Sequence, residues 1–190
     1  EIEFSSSSRH IHVFHQKNLG WPQNTLMRYE IFLSQQQDIA KTDYVFFFNA
    51  NTLFMREISD ADFLPAPAAG EALVAARHPY YYKKKNDKFP YERRENSRAY
   101  IPYGIGQQYV QGSINGGLSE HFLAAAKVMN ENIVADQALG LVALWHDESH
   151  WNKYVLSRND VKILPPSYVY PEGSFFFFRK IIMLRNKAKY

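Results

Sequence analysis

Tyr44-Val45-Phe46-Phe47-Phe48 runs without a polar interruption and stops at Asn49-Ala50-Asn51. A continuous apolar run of this length, closed by polar residues, reads as a buried central strand of an α/β sheet. In such sheets ligands bind just beyond the carboxyl ends of the strands. Asn49 and Asn51 are therefore candidate ligand contacts. Two carboxylates in their place would hold a hard divalent cation. Two amides can hydrogen-bond phosphate or sugar oxygens but bring no negative charge to a cation. A site at this strand end is expected to work without metal; a plain Asn-rich turn is the structural alternative.

The segments on either side keep the α/β pattern. Residues 9–15 alternate as a strand would, after the polar run Ser5 to Ser8. Asn24 or Thr25 is placed to cap a helix whose apolar face carries Leu26, Tyr29, Leu33 and Phe32. Residues 72–77 read as a strand. The stretch 79–103, rich in Tyr, Lys, Arg and Pro, reads as a long functional loop too polar for core. A strand is expected near Tyr109 and a turn at Asn115-Gly116-Gly117. Residues 118–134 have helical period, with Leu118, Phe122, Ala125 and Val128/Met129 on one face. Residues 136–145 continue as helix or a buried segment, and 161–170 are strand-like.

Composition narrows the class. The chain has 190 residues, is 46% hydrophobic and 16% aromatic, and so can bury the core of one globular domain. It has no cysteine, which excludes thiolate chemistry and a disulfide scaffold. No apolar stretch is long enough to cross a bilayer and no leader pattern opens it, from which a bacterial cytoplasmic location is expected. The net charge of +3 is small but local. Lys83-Lys84-Lys85 reads as solvated surface. Arg179, Lys180, Arg185, Lys187 and Lys189 form an acid-free basic end, suited to offset charge on a departing phosphate where no metal does so.

Trp145-His146-Asp147-Glu148-Ser149-His150 is the densest cluster of functional groups. Its two histidines at i and i+4 would share a helix face and suggest zinc, but Asp147 stands where the hydrolase signature needs Glu, and no third ligand is evident. Glu148 could serve as nucleophile or cation stabiliser at an anomeric carbon, with Asp147 on sugar hydroxyls; a capped helix start is the structural alternative. His10, His12 and His15 read as surface strand, not metal ligands. Glu92-Arg93-Arg94 is expected to fix its loop by buried ion pairs. The small residues of Gln111-Gly112-Ser113-Ile114-Asn115-Gly116-Gly117 fit close approach of backbone, as a turn or as the floor of a sugar pocket.

Taken together, these segments resemble glycosyltransferase family 6, the family of the histo-blood-group A and B transferases and the α1,3-galactosyltransferase. The resemblance is carried, in order, by Asn18-Leu19-Gly20-Trp21-Pro22, Phe46-Phe47-Phe48-Asn49-Ala50-Asn51, Tyr91-Glu92-Arg93-Arg94, Ala99-Tyr100-Ile101-Pro102, Gly116-Gly117, Trp145-His146-Asp147-Glu148-Ser149, Asn152-Lys153-Tyr154 and Tyr168-Val169-Tyr170-Pro171-Glu172-Gly173. The Asn-Ala-Asn triplet looks like the metal-independent bacterial branch.

The resemblance implies a GT-A fold, a Rossmann-like mixed sheet flanked by helices, as a single domain over 1–190 expected to lack part of the N-terminal nucleotide-binding unit. It implies a retaining transfer of N-acetylgalactosamine or galactose from a UDP-sugar to the 3-OH of a galactoside, in several relatives fucosylated, with no manganese or magnesium cofactor. Glu148 would be the catalytic carboxylate and also touch the acceptor. Arg28, Asn49, Asn51, Gln111, Ser113, Asp147, Lys187 and Lys189 would bind the donor, with Gln111 and Ser113 sorting galactose from its N-acetylated form. His78 and Trp145 would line the acceptor side. Two rivals remain at this point: an inactive sugar- or nucleotide-binding domain of the same fold, and an RNA-binding module using the basic aromatic loop 80–103.

Overall fold

The computed structural model describes residues 13–189. The expected Ser5–Ser8 loop and most of the strand expected over 9–15, with His10 and His12, lie outside them. Residues 13–15 are exposed and in no regular element.

In chain order the elements are α1 (Gln23–Leu26), α2 (Arg28–Ser34), α3 (Gln36–Ile39), β1 (Tyr44–Phe48), β2 (Thr52–Phe54), α4 (Asp60–Phe63), β3 (Leu73–Arg77), β4 (Val110–Leu118), α5 (Ser119–Ala138), α6 (Asp147–Leu156), β5 (Val161–Leu164), β6 (Tyr170–Pro171) and β7 (Ile182–Leu184). The larger sheet has the order β1-β4-β3-β5. β4 is antiparallel to β1 and β3, while β5 runs parallel to β3. A smaller sheet, β2-β7-β6, lies beside it. This is the mixed α/β architecture that the sequence led us to expect.

Strand β3 shows why the sheet is covered on both faces. Leu73 and Ala75 join the core built with Leu26, Tyr29, Phe122, Met129 and Trp151 from the helices. Val74 and Ala76 join a second core with Ile114, Leu164, Val169, Ile182 and Leu184. Successive side chains point to opposite faces, so a fully buried strand must be apolar throughout.

Several expectations need correction. β1 has the expected bounds, but among the described residues it is an edge strand and only half-buried. The helix after residue 22 is broken at Met27 and Gln35 into three pieces. Neither Asn24 nor Thr25 caps it, because Pro22 holds that position, and Asn24 instead accepts from the Leu19 amide. Asn115-Gly116-Gly117 is not a turn but the interior of β4, paired with β1 and β3. A Cβ on Gly116 would stand 2.3 Å from the Val45 carbonyl oxygen, and one on Gly117 2.3 Å from that of Ala72. α5 ends at Ala138 before Gly140, whose φ of +69° is left-handed, so 139–146 is a loop and not a continued helix. The 161–170 strand stops at Leu164, where Pro165-Pro166 leads into a 3₁₀ turn.

The stretch 79–103 has a core of its own. Phe89, Tyr91 and Ile101 are buried with Tyr109. Arg94 donates to Glu92 Oε2 at 2.6 Å and to the Val142 carbonyl oxygen at 2.6 Å, and the Leu144 amide donates to Glu92 Oε2 at 2.8 Å. Burial alone would raise the Glu92 pKa; the Arg94 and backbone hydrogen bonds hold it down, to about 2. The ion pair thus ties this stretch to the loop that delivers α6. No helix among the described residues is long and apolar enough to cross a membrane.

Candidate active site

The centre of the site is a bulge in β4. Pairing with β3 slips between Ala75, opposite Asn115, and Ala76, opposite Gln111. A bulge takes backbone groups out of the ladder, and at Gly112 both find side-chain partners. The Gly112 amide donates to Glu148 Oε2 at 2.8 Å, and its carbonyl oxygen accepts from Arg28 Nη1 at 3.1 Å and Asn115 Nδ2 at 3.1 Å.

Helix α6 is locked against the same strand. Asn152 accepts the Val110 amide at 2.9 Å and donates to the Val110 carbonyl oxygen at 2.8 Å. It also donates to the Glu148 carbonyl oxygen at 2.9 Å, one turn back. Glu148 is thereby placed over Gly112. Its second oxygen, Oε1, accepts the Tyr109 hydroxyl at 2.6 Å. Burial pushes the Glu148 pKa up to about 7, although both hydrogen bonds favour the carboxylate.

Asp147 begins the helix and is buried. Arg28, at the start of α2, donates to Asp147 Oδ2 at 2.6 Å and also approaches Asn49 Oδ1 at 3.5 Å. The guanidinium lies 4.1 Å from the centroid of the Phe47 ring. Burial raises the Asp147 pKa to about 6 against the opposing pull of Arg28. Just before the helix, His146 takes a positive φ of 52°, a conformation rare for a residue with a side chain. His146 is therefore not on the helix face of His150, and the i, i+4 zinc geometry is not formed. Among the described residues no group of three His, Asp or Glu side chains is arranged to hold a metal.

Two cavities meet here. One, of about 130 Å³, is lined by Thr25, Arg28, Asn49, Gln111, Gly112, Ser113, Trp145, Asp147 and Glu148. The other, of about 380 Å³, is lined by His78, Tyr80, Tyr81, Pro90 and Tyr109 and shares Gln111, Trp145 and Glu148 with the first. Ser113 donates to Gln111 Oε1 at 2.9 Å, which sets the direction of that amide. Burial lowers the His78 pKa to about 4, so the ring is neutral at pH 7, and its Nδ1 accepts the Tyr80 amide at 3.2 Å.

Of the residues picked from sequence, Arg28, Asn49, Gln111, Ser113, Trp145, Asp147 and Glu148 line the first cavity, and His78 lines the second. Asn51 does not: its Nδ2 donates to the Arg185 carbonyl oxygen at 2.6 Å, fastening the turn after β1 to the end of β7. Lys187 and Lys189 sit on an exposed 3₁₀ turn and line neither cavity. Sequence reading missed Tyr109 and Asn152 as site residues, and offered Gly112 only as one of the small residues fit for a turn or the floor of a sugar pocket. The i, i+4 spacing of Glu148 and Asn152 was the available signal for Asn152.

Comparison with known proteins identifies the family. Residues 2–188 match the sequence profile of Glycosyltransferase family 6. The chain is 32% identical to the O-antigen biosynthesis glycosyltransferase WbnI of Escherichia coli over 169 residues, covering 89% of this chain and 70% of that protein. It is 41% identical to the Histo-blood group ABO system transferase 2 of Rattus norvegicus over 101 residues, 53% of this chain and 30% of that protein. Globoside α-1,3-N-acetylgalactosaminyltransferase 1 of Homo sapiens is 31% identical over 162 residues, 83% of this chain and 44% of that protein. The chain thus spans most of the bacterial relative but less than half the length of these animal relatives. The α/β layers and the mixed sheet flanked by helices are consistent with a GT-A-like glycosyltransferase fold. The chain belongs to glycosyltransferase family 6.

Proposed function

We propose that this chain transfers N-acetylgalactosamine or galactose from a UDP-sugar to the 3-OH of a galactoside, with retention of anomeric configuration and without a divalent metal. The observation that carries the reading is the position of Glu148, on the wall shared by two cavities and held by Tyr109 and Gly112.

In this reading the donor sugar occupies the cavity of Arg28, Asp147, Gln111 and Ser113. Asp147, oriented by Arg28, takes sugar hydroxyls. The acceptor enters beside His78, Tyr81 and Trp145. Glu148 lies beneath the anomeric carbon as the bond to UDP breaks. As a nucleophile it forms a glycosyl–enzyme bond that the acceptor hydroxyl then displaces; as a stabiliser it balances positive charge while the acceptor enters on the face that UDP leaves. Arg28 faces the departing diphosphate, and the basic end with Lys187 and Lys189 would have to fold over UDP to join it. The donor chemistry supports the metal-free part: the strand end offers amides at Asn49 and Asn51, which bring no negative charge to a cation.

Release of UDP from UDP-N-acetylgalactosamine and from UDP-galactose tests this, each in EDTA and with or without a fucosylated galactoside. Acceptor-stimulated release in chelator is expected. Saturable donor binding without release, in folded protein, would favour an inactive binding domain. Release that depends on added manganese would refute the metal-free part.

A further inference from the structure

The segment 172–181 connects β6 to β7 and carries Phe175-Phe176-Phe177-Phe178 followed by Arg179-Lys180. The four rings alternate. Phe176 packs on Tyr80 and Tyr170, with centroids 5.4 and 5.6 Å apart, and Phe178 packs on Tyr82 and Tyr170 at 5.4 and 5.5 Å. Phe175 and Phe177 point the other way, 84% and 98% exposed, with their rings 5.5 Å apart.

This loop is built, not loose. The Tyr170 hydroxyl donates to the Ser174 carbonyl oxygen at 3.0 Å and accepts the Phe176 amide at 2.9 Å. The Tyr80 hydroxyl meets Ser174 Oγ at 2.6 Å, and Tyr80 lines the larger cavity. Two fully exposed phenyl rings on a fixed loop are an apolar surface that water disfavours.

The charges around it are mostly positive, and the acids nearest in sequence are engaged elsewhere: Glu172 Oε2 accepts the Asn186 amide at 2.7 Å and Asp87 pairs with Lys88 at 3.4 Å. Lys180 Nζ lies 4.8 Å from the centroid of the Tyr170 ring, and Lys83 Nζ 5.3 Å from that of Tyr82. Arg179, Lys84 and Lys85 are exposed next to them in sequence. Among the described residues no acidic side chain lies within ion-pair distance of any of these five cations. Phenyl rings flanked by unpaired lysines and arginine match the two layers of an anionic bilayer surface, acyl boundary and negative headgroups.

We propose that Phe175 and Phe177, with the surrounding Lys83, Arg179 and Lys180, dock this protein onto anionic lipid membranes, with the larger cavity beside the docked face. On the transfer reading above, such docking would bring the cavity of Tyr80 and His78 to glycans carried on lipid. Vesicle binding is measured without turnover, so its failure and the failure of that reading are separate results.

The test is co-sedimentation with phosphatidylcholine vesicles, with and without phosphatidylglycerol. Binding only to the phosphatidylglycerol vesicles, falling as salt rises, is expected. Phe175→Ser/Phe177→Ser should lower the partition coefficient roughly tenfold or more. Lys83→Ala should lower it about fivefold. All these positions are at the surface, so the variants keep the parent melting temperature and turnover on a soluble acceptor. Absent binding to anionic vesicles, or equal binding by the phenylalanine variant, would overturn the proposal. So would lipid-independent self-association that the same variant abolishes, since the face would then be an interface between copies.

Discussion

Glu148 and Gly112 meet at a distance that leaves little room for a side chain on residue 112. The Gly112 amide donates to Glu148 Oε2 at 2.8 Å, and a Cβ on Gly112 would lie 3.2 Å from Glu148 Cβ. Gly112→Ala therefore has to shift α6 by a few tenths of an ångström or tilt the carboxylate. Because the contact is tight but not forbidden, we expect a small loss of melting temperature and a fall in kcat of about tenfold, since positioning errors below 1 Å already slow group transfer. Equal activity in the alanine variant would show that the carboxylate position does not limit the rate.

Tyr109 is the second hand on Glu148. Its hydroxyl donates to Oε1 at 2.6 Å, while its ring packs on His78, Tyr81 and Tyr91. Tyr109→Phe keeps the ring and removes the donor. The Glu148 pKa, pushed by burial to about 7 and held back by this hydrogen bond, should then rise further. If the carboxylate is the reacting form, the acid limb of kcat/KM moves upward by on the order of one pH unit. A fall in rate with an unmoved pH profile would contradict that assignment.

Arg28 and Asp147 are a buried pair at 2.6 Å, and such pairs are costly to break. Arg28→Ala leaves the Asp147 carboxylate without its cation, which should cost about 3 kcal/mol at pH 8. The sign of the pH dependence follows from the Asp147 pKa. It is already raised by burial to about 6, and removing Arg28 raises it further. Below that value the carboxyl is neutral and the burial penalty disappears; the stability it contributes in neutral form is lost as pH rises through it. The deficit in melting temperature should be smaller at pH 5.5 than at pH 8. A pH-independent deficit would mean that Arg28 acts through packing on Phe47 instead.

Gly116 tests the sheet itself. Its missing side chain lets β4 lie against β1 where a Cβ would stand 2.3 Å from the Val45 carbonyl oxygen, a backbone atom with nowhere to go. Gly116→Ala should destabilise the fold by about 3 kcal/mol, read as a loss of soluble yield and melting temperature. A well-folded alanine variant would show that β1 and β4 separate easily.

These cases also show what the sequence disclosed. The bounds of β1 were legible to the residue because an apolar run has a sharp end at Asn49, though its edge position was not, and α5 was legible from its period over 118–134 but runs on to Ala138. The β4 strand was misread at Asn115-Gly116-Gly117: local turn propensity lost to the close packing of three strands, where glycine is present for want of space. Residues 79–103 looked too polar for a core, yet Phe89, Tyr91 and Ile101 are buried there because Glu92, Arg93 and Arg94 spend their polarity on each other and on backbone carbonyls. Asp147, Glu148 and Arg28 could be named in advance from the motif. Tyr109 could not, and Gly112 was offered only as one of the small residues fit for a turn or a sugar-pocket floor, since the part each plays on Glu148 depends on a bulge that no local pattern encodes.

The most direct measurement pairs calorimetric titration of UDP-sugar with turnover for the parent protein and Glu148→Gln. The amide keeps the shape of the side chain and one acceptor oxygen. Donor affinity should stay within about threefold of the parent while transfer falls by on the order of 10² to 10³. Unchanged transfer in the glutamine variant, with donor binding intact, would remove Glu148 from the chemistry and contradict the account of the site.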